Sequence, residues 1–315
     1  MTTRLNLLFH NLDPNAFSHE HMKSFLERYF NILIYQPDTT YNPQDTILAV
    51  NSFKIQKPDA DYWYVPFQQQ GFKIVVDNLW EYKTFYQEHF PADHVPGCYM
   101  ATNSNWFWYS ESLWYQHLGY HNYTPNKQYT KLALMPMRVD RQHRREIVRS
   151  LSSMLDSIIW SYSSRGRSLP DDIDTAHIDY QRYFNPTWYN STYFSIVTES
   201  LVEGPDLFVT EKTFKPMAFY HPMIVMGQQG VLQYVKSQGF ETFENLFDES
   251  YDTEPEAARR IEMIKKNIQD FDPVAYTQLT KQKLQHNHAL FFNTSLIEQR
   301  MYTEVIVPIL EYASC

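Results

Sequence analysis

The residues Tyr193-Phe-Ser-Ile-Val-Thr198, Thr210-Glu-Lys-Thr-Phe-Lys-Pro-Met-Ala-Phe-Tyr220 and Met223-Ile-Val-Met226 decide the fold of this chain. The first and the last are short apolar runs typical of buried strands, and the middle one has the spacing of a helix that Thr210 caps. A strand, a helix and a strand joined by short connections predict a parallel sheet with the helix packed on it.

The surrounding residues extend this pattern in both directions. A strand is predicted over 131–135 and a further helix over 231–237. Apolar residues at helical spacing predict another helix, capped by Asp140; they are Ile147, Val148, Leu151, Met154, Leu155 and Ile158. The onset of a strand is predicted at Ile158–Tyr162. We therefore expect an α/β domain over residues 129–315, whose final helix, from Ser295, can pack back on the domain before it.

The N-terminal half shows the same alternation of apolar runs and loops. Strands are predicted at Leu5–Phe9, Ile32–Tyr35, Thr46–Val50, Tyr62–Val65 and Lys73–Val76. The segment Trp106–Tyr129 is rich in aromatic and turn residues, and we place a domain boundary at its end. We therefore expect a first α/β domain over residues 1–128. The whole chain then comprises two Rossmann-like domains with parallel sheets flanked by helices.

Charge and composition exclude several classes of protein. The chain of 315 residues has a net charge of −9, which disfavours sequence-independent binding to nucleic acid or anionic membrane. No apolar run reaches the ~18 residues of a membrane span, and residues 1–14 lack the pattern of a signal peptide. The two cysteines, Cys98 and Cys315, fit a reducing compartment. We therefore expect a cytoplasmic protein without a membrane span.

An arginine-rich segment, 138–149, stands out against this acidic background. A solvated helix face explains such a segment, but Arg144 lies four residues before Val148 and so continues the apolar side of the helix. Cations in the first turn also oppose the helix dipole unless an anion is shared between them and the backbone amides. The segment therefore favours a pyrophosphate site that includes Arg144.

The second candidate is the pair Glu211 and Lys212, directly after the predicted cap Thr210. An acidic residue in the first turn of a helix is ordinary complementarity to the helix dipole. The combination suggests more, because a carboxylate can accept two hydrogen bonds from a ribose diol and a lysine can neutralise a phosphate. Both side chains are expected at the strand ends, where open α/β sheets bind ligands.

These segments resemble the donor-binding part of fucosyltransferase-like glycosyltransferases, which have two domains facing a central cleft, the GT-B architecture. The resemblance rests on Tyr193–Ser200, on Phe208-Val-Thr-Glu-Lys-Thr-Phe214 and on His221-Pro-Met-Ile-Val225, and it spans roughly residues 131–240. One departure is Lys215-Pro216 inside the helix, where the family prefers an unbroken helix.

The resemblance implies a donor site for a nucleotide-diphosphate sugar and no further cofactor. It implies that Glu211 binds the ribose hydroxyls, that Lys212 binds the pyrophosphate, and that Arg144 is the family's upstream arginine. Thr210 and Glu199 fall within the same donor-binding motif. The implied activity is transfer of a hexosyl or fucosyl group to an acceptor hydroxyl, with inversion and without a metal.

Such a transfer needs a general base in the first domain, at a strand end. Glu81 and Asp77 follow the strand that ends at Val76, and His10 follows the first strand. We favour Glu81 among these three. Aromatic residues of this half either fill the core or stack on the acceptor; they include Trp106, Trp108 and Trp114.

Two other functions stay open at this point. A protein of the same fold can bind a carbohydrate or a nucleotide without catalysis. Alternatively, Asp59 and Asp61 have the spacing with which metal-dependent glycosyltransferases hold a divalent ion. A glycan is the expected acceptor, with a modified nucleic-acid base or a protein side chain as alternatives.

Overall fold

The computed structural model describes residues 4–9, 24–51, 64–77, 98–169 and 185–315. The chain divides into two units, of which one comprises Met1–Trp114 and Thr294–Cys315 and the other Tyr115–Asn293. Each unit contains a parallel sheet with flanking helices, so the α/β class is confirmed. The sequence placed one division between residues 128 and 129, whereas the structure divides the chain after Trp114 and again after Asn293.

The strands of the described residues are numbered in chain order. They are β1 (Asn6–Phe9), β2 (Asn31–Ile34), β3 (Thr46–Asn51), β4 (Lys73–Asp77), β5 (Tyr99–Ala101), β6 (Lys131–Met135), β7 (Ile158–Trp160), β8 (Thr192–Thr198) and β9 (Met223–Met226). The strands predicted at 131–135 and 223–226 are confirmed with the same bounds.

The α-helices are numbered in the same way. They are α1 (Val65–Gln69), α2 (Trp106–His117), α3 (Gln142–Ser150), α4 (Pro186–Ser191), α5 (Glu211–Ala218), α6 (Val231–Ser237), α7 (Ala257–Gln269), α8 (Pro273–Leu279), α9 (Lys281–Phe291), α10 (Thr294–Met301) and α11 (Val307–Ser314). Within the described ranges, none of the helices combines the length and the apolar character that crossing a bilayer requires.

The first sheet has the strand order β2-β1-β3-β4-β5, and all of its strands are parallel. In its register Leu8 pairs with Leu33 of β2 and with Leu48 of β3. Leu8 and Leu48 are fully buried and share a core with Ile74 of β4. The strand order changes direction between β1 and β3, and α/β sheets of this order bind ligands at the carboxyl ends of those strands.

Two segments before residue 130 differ from the prediction. Residues Val65–Gln69 form α1, where a strand was predicted over 62–65; residues 62 and 63 lie outside the described residues. Pro66 suits the first turn of a helix and has no N–H to offer a sheet. The segment predicted as turn-rich begins with the 12-residue helix α2, in which Trp106 and Trp108 are buried. Because bulky apolar residues occupy several sides of α2, its helical periodicity is hidden in the sequence.

The second sheet has the order β7-β6-β8-β9 and is also parallel throughout. Helix α6 has the bounds predicted from the sequence, and α5 continues through Pro216 to Ala218. The strand order changes direction between β6 and β8. The ligand-binding crevice of this sheet is therefore expected at the carboxyl ends of those two strands.

The C-terminal segment belongs to the first unit. Helices α10 and α11 are joined by a π-helical turn, Tyr302–Ile306. Within this turn the carboxylate of Glu304 accepts hydrogen bonds from the Asn103 amide at 2.8 Å and from the Tyr109 hydroxyl at 2.7 Å. These bonds join the turn to the loop after β5 and to α2.

Replacing Phe194 by alanine is expected to lower the free energy of unfolding by about 3–5 kcal/mol, because the large-to-small change leaves a cavity in a packed core. Phe194 is fully buried in β8, and its ring lies 5.1 Å from that of Phe247 and 4.9 Å from that of Phe271. Urea denaturation measures the change. Val274→Ala, at an exposed position of α8, is the control and should change it by less than about 0.5 kcal/mol. Equal effects of the two substitutions would contradict this packing.

Candidate functional site

A cavity of about 160 Å³ opens at the crevice of the second sheet. It is lined by the carboxyl ends of β6 and β8, by the loops after β6 and β7, and by α4 and α5. Lining residues include Arg138, Ser195, Thr198, Glu211, Lys212 and Pro216. Because α/β sheets bind ligands where the strand order changes direction, this cavity is the candidate site of the second unit.

The carboxylate of Glu199, one residue beyond β8, fixes the start of α5. It is fully buried, and its Oε1 accepts hydrogen bonds from the Thr210 N–H at 3.0 Å and the Thr213 hydroxyl at 2.6 Å. Its Oε2 accepts from the Thr210 hydroxyl at 2.6 Å and the Ser200 N–H at 3.0 Å. A buried carboxyl group needs such partners, so the end of β8 and the first turn of α5 are held together. All four donors are protein groups, which gives Glu199 a supporting position in the predicted donor site.

Thr210, Glu211 and Lys212 form a hydrogen-bonded group at the start of α5, and the last two line the cavity. Thr210 is the N-cap of α5, as predicted, and its side chain accepts from the Lys212 N–H. The Lys212 ammonium donates to the Glu211 carboxylate at 2.6 Å and to the Thr210 hydroxyl at 3.2 Å. The sequence thus identified the cap of α5 and the two charged residues after it that line the cavity.

The charge of Glu211 is kept although the side chain is buried. Burial opposes ionisation, but the attraction of the Lys212 ammonium and its hydrogen bond outweigh this and hold the pKa of Glu211 below its ordinary value. Glu211 is therefore a carboxylate at neutral pH and accepts hydrogen bonds only.

Arg144 and His143 lie in the first turn of α3 and contact the loop after β8. Arg144 is buried, as its position on the apolar side of the helix predicted. Its Nη1 donates to the Val139 carbonyl at 2.9 Å, and its Nη2 donates to the carbonyls of Thr198 at 2.8 Å and Glu199 at 3.2 Å. The Nε2 of His143 lies 3.0 Å from the same Glu199 carbonyl. The guanidinium thus secures the loop after β8, and its Nε has no partner among the described residues.

The mouth of the cavity is basic. Arg138 is exposed there, and Lys212 and Lys215 lie on the α5 side. The predicted cap Asp140 does not cap α3; Arg141 holds that position, with an extended backbone and no side-chain cap. Asp140 instead accepts from Arg165 at 2.6 Å, from the Tyr162 hydroxyl at 2.7 Å and from Arg145 at 2.7 Å, contacts that lower its pKa to about 2.

Two polar groups of the cavity were not found from the sequence. The hydroxyl of Thr198 is buried and has no hydrogen-bond partner among the described residues. The hydroxyl of Ser195 lies 2.7 Å from Nδ1 of His221, which is 26 residues further along the chain. Neither group belongs to a local sequence motif. The position of Thr198 in the cavity wall follows from the tertiary structure, and the contact of Ser195 with His221 follows from the pairing of β8 with β9.

The predicted catalytic residues of the first half fall mostly outside the described residues. This applies to Glu81 and His10, and also to the alternative metal ligands Asp59 and Asp61. Asp77 is the last residue of β4, and only its backbone is described. Across the described ranges, no three His, Cys, Asp or Glu side chains come together as a metal site.

A comparison of the chain with protein-family models and with curated proteins finds no match.

Glu199→Ala is expected to lower the free energy of unfolding by roughly 3 kcal/mol or more, because it leaves buried donors of Thr210 and Thr213 without acceptors. Glu241→Ala, a substitution of the same kind at an exposed position of the same unit, should change it by less than about 0.5 kcal/mol. Urea denaturation of both variants measures the difference. A neutral effect of Glu199→Ala would contradict the supporting position of this carboxylate.

His143 is expected to make stability depend on pH. Burial lowers its pKa from 6.5 to about 4, so the unfolded chain takes up a proton that the folded chain does not bind until lower pH. Stability should therefore fall as the pH drops from 6.5 towards 4, with His221 and His288, whose pKa values burial also lowers, adding to the loss.

His143→Gln keeps a side-chain N–H for the Glu199 carbonyl but cannot titrate, so it should flatten part of this loss. Urea midpoints over the same pH range measure the slope, with the exposed His117→Gln as the control. An unchanged slope in His143→Gln would exclude a contribution of this residue.

Proposed function

We propose that this protein is a glycosyltransferase of the GT-B type, which moves a sugar from a nucleotide-diphosphate sugar to an acceptor hydroxyl. The observation that carries the proposal is the paired Glu211 and Lys212 at the start of α5, beside a cavity where the strand order changes direction. A carboxylate and a cation at this crevice match the ribose diol and the diphosphate of such a donor.

Glu211 is proposed to accept hydrogen bonds from both ribose hydroxyls. It is ionised and lines the cavity, and its present partner is the Lys212 ammonium. A diol offers two O–H donors to the two carboxylate oxygens, so the ribose can share Glu211 with Lys212.

Lys212 and the exposed Arg138 are proposed to bind the diphosphate at the mouth of the cavity. The partial positive charge at the N-terminus of α5 adds to their attraction. During transfer the bond between the anomeric carbon and the diphosphate oxygen breaks, and negative charge develops on the leaving group. Fixed cations stabilise that charge, which is the role we propose for them in a metal-independent reaction. Arg144, buried behind the loop, adds positive charge and fixes the Glu199 carbonyl.

The acceptor is proposed to bind to the first unit, with a glycan as the acceptor class. A general base there would take the proton from the acceptor hydroxyl as it attacks the anomeric carbon, giving inversion. Glu81, Asp77 and His10 remain the candidates, and β1 and β4 end at Phe9 and Asp77 on the carboxyl edge of the first sheet.

A nucleoside diphosphate is expected to stabilise the protein in EDTA, because a ligand that binds only the folded state adds about 2.7 kcal/mol at ~100 times its Kd. Lys212→Ala should abolish this gain, since it removes the cation beside the diphosphate. Thermal denaturation with ADP, CDP, GDP and UDP measures it. Lys281→Ala, at an exposed lysine of α9, is the matched control and should retain the full effect.

Sugar nucleotides that carry the same base as the stabilising nucleoside diphosphate are then incubated with glycan acceptors. Release of the nucleoside diphosphate measures transfer. Binding without turnover would favour a non-catalytic carbohydrate- or nucleotide-binding protein. A strict requirement for Mn²⁺ would favour the metal-dependent alternative with Asp59 and Asp61. If no nucleoside diphosphate changes the melting temperature, the proposed function is wrong.

A further inference from the structure

The cavity at the second sheet is polar at its mouth and apolar within. Charged side chains at the mouth come from Arg138, Glu211 and Lys212. Its inner walls are formed by buried apolar and aromatic side chains, namely Leu134, Ile196, Trp188, Tyr189 and Pro216. A ligand that fills it must therefore have one flat, weakly charged end and one anionic end.

Three buried polar side chains also line the cavity, namely Ser161, Ser195 and Thr198, and Ser195 is the one that contacts a buried imidazole. Ser195 is buried in the middle of β8 and lines the same cavity. Its hydroxyl is 2.7 Å from Nδ1 of His221, and Nε2 of His221 lies 2.9 Å from the Thr192 carbonyl. A carbonyl only accepts hydrogen bonds, so Nε2 carries the imidazole proton and Nδ1 is the acceptor. Ser195 therefore donates its only proton to His221, and its oxygen is left as an acceptor.

His221 is held in this state by its surroundings. Burial lowers the pKa of His221 well below its ordinary value, so the ring is neutral and Nδ1 stays unprotonated. The ring packs edge-on against Tyr189, at 5.2 Å between centroids. Tyr220, just before it, has a φ of 52°, a left-handed conformation that turns the chain from α5 towards β9. The direction of the Ser195 hydrogen bond is thus built into the fold.

We propose that this cavity is the nucleobase pocket of the donor site and that Ser195 accepts a hydrogen bond from an N–H of the base. This inference rests on the proposed function and adds a residue that reads the base. It requires a base that presents an N–H to the pocket, and it discriminates against a base whose inserted edge has only acceptors or a methyl group.

The other parts of a nucleotide sugar fit the inside of the cavity less well. The diphosphate is charged and would lose its hydration without a cation among the apolar walls. The transferred sugar must reach an acceptor, so it cannot be enclosed. The base is flat, packs well against Trp188 and Tyr189, and needs only a few polar contacts for its edge. With the ribose at Glu211, the base points inward and the diphosphate points to the basic mouth.

A double-mutant cycle tests the hydrogen bond from both sides. ADP, CDP, GDP and UDP are titrated calorimetrically, each beside an analogue without its inward N–H donors: the 5′-diphosphates of purine riboside, zebularine, 1-methylinosine and 3-methyluridine, respectively. The unmodified protein should bind the preferred natural diphosphate roughly tenfold more tightly than its analogue, the size expected when a buried polar group loses its partner.

Ser195→Ala should lose the same roughly tenfold with the natural diphosphate and nothing further with the analogue, because the two changes remove one interaction. Ser152→Ala, at an exposed serine of the same unit, should behave like the unmodified protein with both ligands. If Ser195→Ala fails to fold, the comparison of natural diphosphate and analogue on the unmodified protein decides alone.

The outcomes separate this inference from the proposed function. Equal affinity of the unmodified protein for the natural diphosphate and its analogue overturns the role of Ser195, and so does an equal loss for both ligands in Ser195→Ala. In either case nucleotide binding itself still supports the donor site. If the unmodified protein binds none of the four diphosphates, the inference and the proposed function fail together.

Discussion

The buried carboxylate of Glu199 is the contact on which the second unit's site depends. It is fully buried, and it accepts hydrogen bonds from the Thr210 and Thr213 hydroxyls and from two backbone N–H groups. The backbone carbonyl of Glu199 accepts a hydrogen bond from Arg144 and lies close to His143. The same residue therefore also contacts the first turn of α3. The first turns of α3 and α5 are thus both joined by hydrogen bonds to the residue that follows β8.

The residues that hold the loop after β8 in place differ from the residues that line the cavity. The Glu199 carboxylate, which holds the loop after β8, accepts four hydrogen bonds from protein groups, whereas the polar groups that line the cavity keep capacity for a ligand. Glu211 and Lys212 are paired only with each other and with close neighbours, and the Thr198 hydroxyl has no partner among the described residues. A site of this kind is preorganised, because hydrogen bonds hold the backbone around it before any ligand enters.

The sequence predicted this half of the molecule better than the other half, for physical reasons. Strand β9 and helix α6 are short, uniformly patterned elements bounded by Gly and Pro, so their limits follow from local signals. Helix α2 was missed because its aromatic residues lie on several sides. The inward position of Arg144 followed from helical spacing, but its carbonyl partners, 54 and 55 residues away, did not. Pairings such as Ser195 with His221 arise only when the sheet assembles.

The arginines at the carboxyl edge of the second sheet also affect how fast an anion can arrive. The chain as a whole is acidic, with a net charge of −9, yet Arg138 and Arg141 are exposed in the loop between β6 and α3 at this edge. An approaching anion is repelled over most of the surface and attracted here, so electrostatic steering raises its association rate. Such steering weakens with ionic strength over a Debye length of about 8 Å in physiological salt. The association rate of a charged ligand is therefore more sensitive to salt than its dissociation rate, which depends on the buried contacts of the cavity.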